Sequence, residues 1–324
     1  MPVPAGKQPI KVRYVDVSAD EAGQRIDNFL ARHLKGVPRS VIYRVLRRGE
    51  VRVNSGRIRP HYKLKAGDSV RIPPLRVDPG QQKTTAGKRL PRIEDSIVFE
   101  NPRLLVIDKP SGMAVHGGSG ISHGVIEALR AQQPEAPYLE LVHRLDRDTS
   151  GCLIIAKRRS ALRALHEQLR LGLMHKRYLA LLSGAWSGGS RRVNAALRKN
   201  RLQGGERVVR IDTEGKQAET IFHPVSEYGN ASLVDIELKT GRTHQIRVHA
   251  AHIGQPLAGD EKYGDPEFNR RMKTCGLRRL FLHAHMIEFT DPGSDDVINV
   301  SAPLPDDLKQ VLDKLEAAVT ETHD

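Results

Sequence analysis

The chain has 324 residues, with 52 Lys and Arg against 38 acidic residues and a net charge of +14. That length allows two domains. No apolar run approaches the ~20 residues of a membrane span. The start, MPVPAGKQPIKV, has no apolar signal segment, so secretion is not expected. Cys152 and Cys275 are too few for a disulfide scaffold and fit reduced thiols in the cytoplasm. So strong a basic excess points to a polyanionic partner, with a merely basic solvated surface as the alternative. An aromatic content of 4% argues against a platform for stacking single-stranded bases.

In chain order, residues 10–17 alternate through Ile10, Val12, Tyr14, Val15 and Val17 as a leading strand would. Ile26, Phe29, Leu30 and Leu34 then fall at helical spacing. Gly36 stops that helix, and Pro38 precedes a second one with Val41, Ile42, Val45 and Leu46 as its stripe. Arg39, Arg44, Arg47 and Arg48 lie largely off that stripe. EVRVN and GDSVRIP read as short strands. This order of two short helices, the second basic, followed by strands resembles the S4 RNA-binding domain, over residues 10–73. The resemblance implies RNA contacts from the four arginines; a solvated helix face is the alternative. Residues 74–92 have no periodicity and read as a linker with a span of roughly 25 Å.

From residue 93 to 320 a larger domain is expected. Residues 96–100 and 104–108 read as strands around a turn at Asn101-Pro102, followed by Lys109-Pro110-Ser111-Gly112. His116 to Gly120 is Gly-rich but lacks the GxxxxGK[ST] pattern of a phosphate loop. LVHRLDRDTSG then crowds His143, Arg144, Asp146, Arg147, Asp148, Thr149 and Ser150 before the apolar run 152–156. Charges beside a buried strand must be paired or shift their pKa, as acid/base groups do. A polar turn capped by its own Asp, Thr and Ser answers to the same spacing, and the residues alone leave both readings open. Ser160 is expected to cap a helix bearing Leu162, Leu165 and Leu169.

Residues 176–182 read as a strand carrying Lys176, Tyr178 and Ala180. The basic residues 196–218 suit a hairpin that faces RNA, or a solvated one. A strand through Val234, Ile236 and Leu238 leads into GRTHQIRVH at 241–249. His244, His249 and His252 match no common zinc spacing, so no metal is expected. Residues 281–289 read as a strand, and 306–318 as a helix with Leu308, Val311, Leu312 and Leu315 on one face.

HRLDRDTSG, K-x-Y-x-A and GRTHQIRVH together resemble the signature segments of the RluA family of pseudouridine synthases. The resemblance covers essentially the whole chain. It implies an α+β fold, with a mixed, mainly antiparallel sheet flanked by helices and a small N-terminal S4-like domain. It also implies site-specific isomerisation of uridine to pseudouridine in large-subunit (23S) rRNA, either free or in an assembly intermediate. No small-molecule cofactor is called for, and a monomer is assumed. The implied catalytic residues are Asp146, Arg247 and Tyr178. Arg144, Ile246, Lys109, His143 and Lys176 are the implied substrate contacts, and Arg242 joins the RNA-binding arginines. A carboxylate in a dry pocket needs a cation within ~4–6 Å to stay charged, and Arg247 would supply it. Two rival readings are a non-catalytic RNA-binding assembly protein and a glycosidase, the latter needing a second carboxylate such as Asp148.

Overall fold

The computed structural model describes residues 12–34, 37, 39–75, 92–117, 124–136, 138–201 and 207–321. Several sequence expectations fall outside them: Ile10, Gly36, Pro38, Gly118 to Gly120, and the linker apart from residues 74, 75 and 92. The side chains of Arg39, Arg201 and Arg207 do so as well. The chain divides into two compact units, Met1–Arg89 and Leu90–Asp324.

In the first unit, β1 (Arg13–Asp16) is followed by α1 (Ile26–His33), α2 (Arg39–Arg48), β2 (Arg52–Val53), β3 (Gly56–Arg57) and β4 (Ser69–Ile72). The strands form an antiparallel sheet in the order β1-β4-β2-β3. Both helices bury the faces that their spacing marks. Ile26, Phe29, Leu30 and Leu34 from the first join Ile42, Val45 and Leu46 from the second, with Val51, Val53, Val70 and Ile72 completing the core. Tyr43 Oη donates to Asp27 Oδ2 at 2.8 Å and ties the helices together. Arg44, Arg47 and Arg48 stay exposed on α2.

The second unit is built on one long sheet. Its elements begin with β5 (Ile97–Glu100), β6 (Leu104–Lys109), α3 (Val125–Gln132), β7 (Glu140–Leu141) and β8 (Ser150–Ala156). α4 (Arg159–Leu171), β9 (His175–Ser183), β10 (Arg191–Asn194), β11 (Leu197–Arg201) and β12 (Arg207–Ile211) come next. Then follow β13 (Glu219–Tyr228), β14 (Ala231–Leu238), α5 (Gln245–His252) and α6 (Pro266–Thr274). β15 (Leu282–Thr290), β16 (Val297–Ser301) and α7 (Asp306–Glu321) close the chain. The sheet order is β10-β13-β14-β9-β15-β8-β6-β5, with β16 on β15 and β7 on β8. Every pairing is antiparallel except β8 with β15. The fold is α+β, as the sequence resemblance implies.

The unbroken apolar run of β8 has a simple cause: both faces of the strand are covered. Leu153 and Ile155 enter one core with α3 and α5 residues, while Cys152, Ile154 and Ala156 enter the other with Leu165 of α4. The hairpin β11–β12 forms a separate two-stranded sheet, and Leu197 also bridges Lys216. α4 begins at Arg159 with Arg158 as its N-cap, so Ser160 sits inside the first turn rather than capping it. Gln245 to His252 forms a helix that no apolar stripe announced. Among the described residues, no helix is long and apolar enough to cross a membrane.

Candidate active site

The polar loop 143–149 enters β8 where that strand meets β15. Gly151 lies at φ +108°, and a Cβ there would stand 2.3 Å from the Ala284 carbonyl oxygen. Only glycine permits so close an approach of the two backbones. The loop is tied down from below. Lys109 Nζ donates to the carbonyls of Pro110 (2.8 Å), Met113 (2.9 Å) and Arg147 (3.0 Å). Ser111 Oγ donates to the Asp148 carbonyl, and Thr149 N–H to that of Asp146.

Above this floor lies a cleft of about 460 Å³. Asp146, Tyr178, Ile246, Arg247, Arg144, His143, Lys176 and Arg242 all line it, although they come from three separate segments. Asp146 is the one acidic side chain among the lining residues. Asp148 is not among them and pairs with Arg147 at the surface, so among the described residues lining the cleft no second carboxylate faces the first.

Arg247 Nη1 lies 4.0 Å from Asp146 Oδ2, while its hydrogen bonds go elsewhere. Nε and Nη2 each reach a different oxygen of Asp260 at 2.7 Å, a bidentate pair buried to 1% on the carboxylate side. Asp260 also accepts the backbone N–H groups of Lys262 and Tyr263. Despite burial, these bonds hold its carboxyl below the usual carboxylate range. Asp260 thus aims the guanidinium and leaves Nη1 to face Asp146.

Tyr178 is 6% exposed. Burial, with Asp146 nearby, pushes its phenol well above its ordinary pKa, so it remains protonated at any working pH. Ile246 beside it is 5% exposed and supplies an apolar wall. Lys176 lines the cleft, and burial lowers its ammonium.

Two of the implied substrate contacts also hold the loop in place. Lys109 has no exposed surface, and burial brings it down to about 8. Its three carbonyl partners use all three of its donors, so it braces the loop. His143 Nε2 accepts the Ile154 N–H at 3.1 Å, and burial drives the ring down to about 3. It is neutral and tethers the loop to β8. Arg242 also gives its Nε to the Gln217 carbonyl, at 3.1 Å.

The sequence reading missed Asp260, His244 and Tyr263. His244 is the N-cap of α5 at φ +53°, a left-handed conformation that His adopts more readily than most residues. The signal for Asp260 was a G-D-x-x-Y-G turn, whose place beside Arg247 no spacing reveals. His249 is spent on Thr220 Oγ1 and the Ala195 carbonyl. Among the described residues, no cluster could hold a metal ion.

A family model described as RNA pseudouridylate synthase matches residues 103–252, and an S4 domain model matches residues 24–70. Ribosomal large subunit pseudouridine synthase C of Escherichia coli O157:H7 is 56% identical over 95% of this chain and 98% of its own. Its counterpart in Escherichia coli K12 is 55% identical over the same shares. Among solved structures, human RNA pseudouridylate synthase domain containing 4 aligns with a TM-score of 0.57 and 26% identity, over 69% of this chain and 94% of its own. With matching segments over nearly its full length, and a cleft that gathers residues from them, the chain belongs to the RNA pseudouridylate synthase family and is a pseudouridine synthase.

Proposed function

We propose that the chain isomerises specific uridines to pseudouridine in large-subunit (23S) ribosomal RNA, free or in an assembly intermediate, with Asp146 as the catalytic carboxylate. The observation that carries this reading is one carboxylate in the cleft, 4.0 Å from a guanidinium and flanked by a buried tyrosine. The names of the similar bacterial proteins and the basic S4-type helix support the RNA class.

The reaction breaks the N1–C1′ bond, turns the base and rejoins it through C5. It has no net redox change and consumes no donor group. Attack at C1′, removal of the C2′ proton and addition at C6 each require an ionised carboxylate, which Arg247 stabilises from one side. The uridine leaves its stack at a cost of a few kcal/mol, and Arg144 at the exposed rim fills the space it vacates. Tyr178 and Ile246 pack on the extruded base. Tyr178 acts by contact, because its phenol is too weak an acid to lose its proton and serve as a base. Lys176 supplies positive charge for the incoming backbone phosphate. The glycosidase reading finds no second carboxylate among the described residues that line the cleft.

Pseudouridine mapping of 23S rRNA tests the proposal in a strain lacking the native enzyme. The wild-type chain restores modification. Asp146→Asn folds and binds RNA yet leaves those uridines unmodified; full modification by that variant would overturn the assignment.

A further inference from the structure

His244 and Tyr263 stand behind Asp146 in an arrangement that the chemistry above does not use. His244 Nδ1 is 2.8 Å from Tyr263 Oη, and His244 Nε2 is 3.8 Å from Asp146 Oδ2. Tyr263 Oη in turn accepts the Val209 N–H at 3.0 Å. That backbone bond occupies one acceptor site of the phenol oxygen and leaves its proton to be given away. The neighbouring acceptor is Nδ1. If Nδ1 carried the proton instead, Oη would have to accept a second N–H and the phenol proton would need another acceptor. The satisfied arrangement leaves the histidine proton on Nε2, facing the carboxylate.

We infer that Tyr263 fixes His244 in the Nε2–H form and that His244 is a further positioning residue, whose N–H closes on Asp146 Oδ2 when substrate fills the cleft. The inference rests on the reading of Asp146 as the catalytic carboxylate. Several observations converge on it. The left-handed backbone at His244 turns its ring out of the helical register and into the cleft. The ring lies edge-on to Tyr263, with centroids 5.5 Å apart, and Arg247 covers the Tyr263 ring at 5.0 Å. Catalytic hydrogen bonds that are long in a free enzyme commonly tighten once substrate is bound. A neutral ring also fits its surroundings. Burial lowers the imidazole, Asp146 opposes, Arg247 and Lys262 lower it further, and Asp260 opposes. Arg247 and His244 would then approach the same oxygen, Oδ2, and leave Oδ1 for the sugar or base.

Long-range 1H–15N spectra of the full-length protein labelled at histidine read the tautomer directly, with His244 assigned by its loss in His244→Gln. A proton on Nε2 is expected, shifting towards Nδ1 in Tyr263→Phe. In turnover, Tyr263→Phe should lower kcat about tenfold with KM for RNA little changed, the weight of one hydrogen bond to a charged group. His244→Ala should match it. His244→Gln, which places an amide N–H near the Nε2 position, should recover part of that loss and make Tyr263→Phe silent when the two are combined. A wild-type ring protonated on Nδ1 overturns the inference without needing any variant to fold. So does a Tyr263→Phe defect that persists undiminished beside His244→Gln. An active Asp146→Asn would remove the underlying reading instead, and is scored separately.

Discussion

Asp260 shows how one buried side chain sets the place of another that faces the cleft. Its carboxylate holds Arg247 by two hydrogen bonds and is 1% exposed. Asp260→Ala strips the guanidinium of its main partner in a buried site, which costs on the order of 3–5 kcal/mol. Urea unfolding should show that loss, and residual activity should fall because Nη1 no longer holds its place near Asp146. His283 makes a second prediction at this scale. It has no exposed surface, with Ser150 Oγ on Nδ1 and the Ala302 carbonyl on Nε2, and burial drives the ring to about 4. His143 is driven to about 3. Both folded values lie below the unfolded value near 6.5. Below pH 6.5 the unfolded chain therefore binds protons that the folded chain refuses. Stability should be full above pH 6.5 and fall towards pH 4, by up to about 1.4 kcal/mol per pH unit for each ring. Urea midpoints at pH 7.5 and 4.5 measure this, and a flat profile would contradict it.

At the scale of elements, the parallel contact between β8 and β15 decides where the polar loop 143–149 ends. His283 pairs with Ser150 and Ala284 with Gly151, and Arg279 reaches across to Ser150 Oγ. Gly151→Ala would drive a methyl group into the Ala284 carbonyl from a positive φ, an overpacking and backbone penalty of roughly 2–5 kcal/mol. Thermal unfolding should show it, with activity lost even in the folded fraction because Asp146 lies four residues before the junction. The β6 and β8 strands were legible because each is apolar on both faces and bounded by turn residues. α5 was not: Gln245, Ile246, Val248, His249 and Ala250 are all buried, so no polar face sets off an apolar one. The capping expected from Ser160 failed for a related reason, since local hydrogen-bonding potential cannot say which residue the preceding strand leaves as the helix start.

For the whole molecule, the excess of 14 positive charges governs association. RNA affinity should fall steeply as salt rises, because phosphate contacts release condensed ions. Replacing Arg44, Arg47 and Arg48 together by Gln should reduce the log–log salt slope by roughly 2–3, while leaving the second unit folded. Filter binding across a salt series measures both, and a slope unchanged by the triple substitution would remove those arginines from the interface. The arginines were legible individually, as residues off the apolar stripe of a short helix, and the structure leaves the described ones exposed.

What the sequence by itself determined was whatever repeats locally. Apolar spacing gave several of the helices and strands of both units, and the spelling of three short segments gave the family and the principal cleft residues. The tertiary structure alone decided which partner each charged group has. Arg247 is read from its segment as facing Asp146, yet its hydrogen bonds belong to Asp260, thirteen residues further on. Lys109 is read from the resemblance as a substrate contact, and the structure places three backbone carbonyls on its three donors. The reason is that periodicity states which face of an element avoids water, whereas the strength and direction of a buried charge contact depend on what distant segments bring against it.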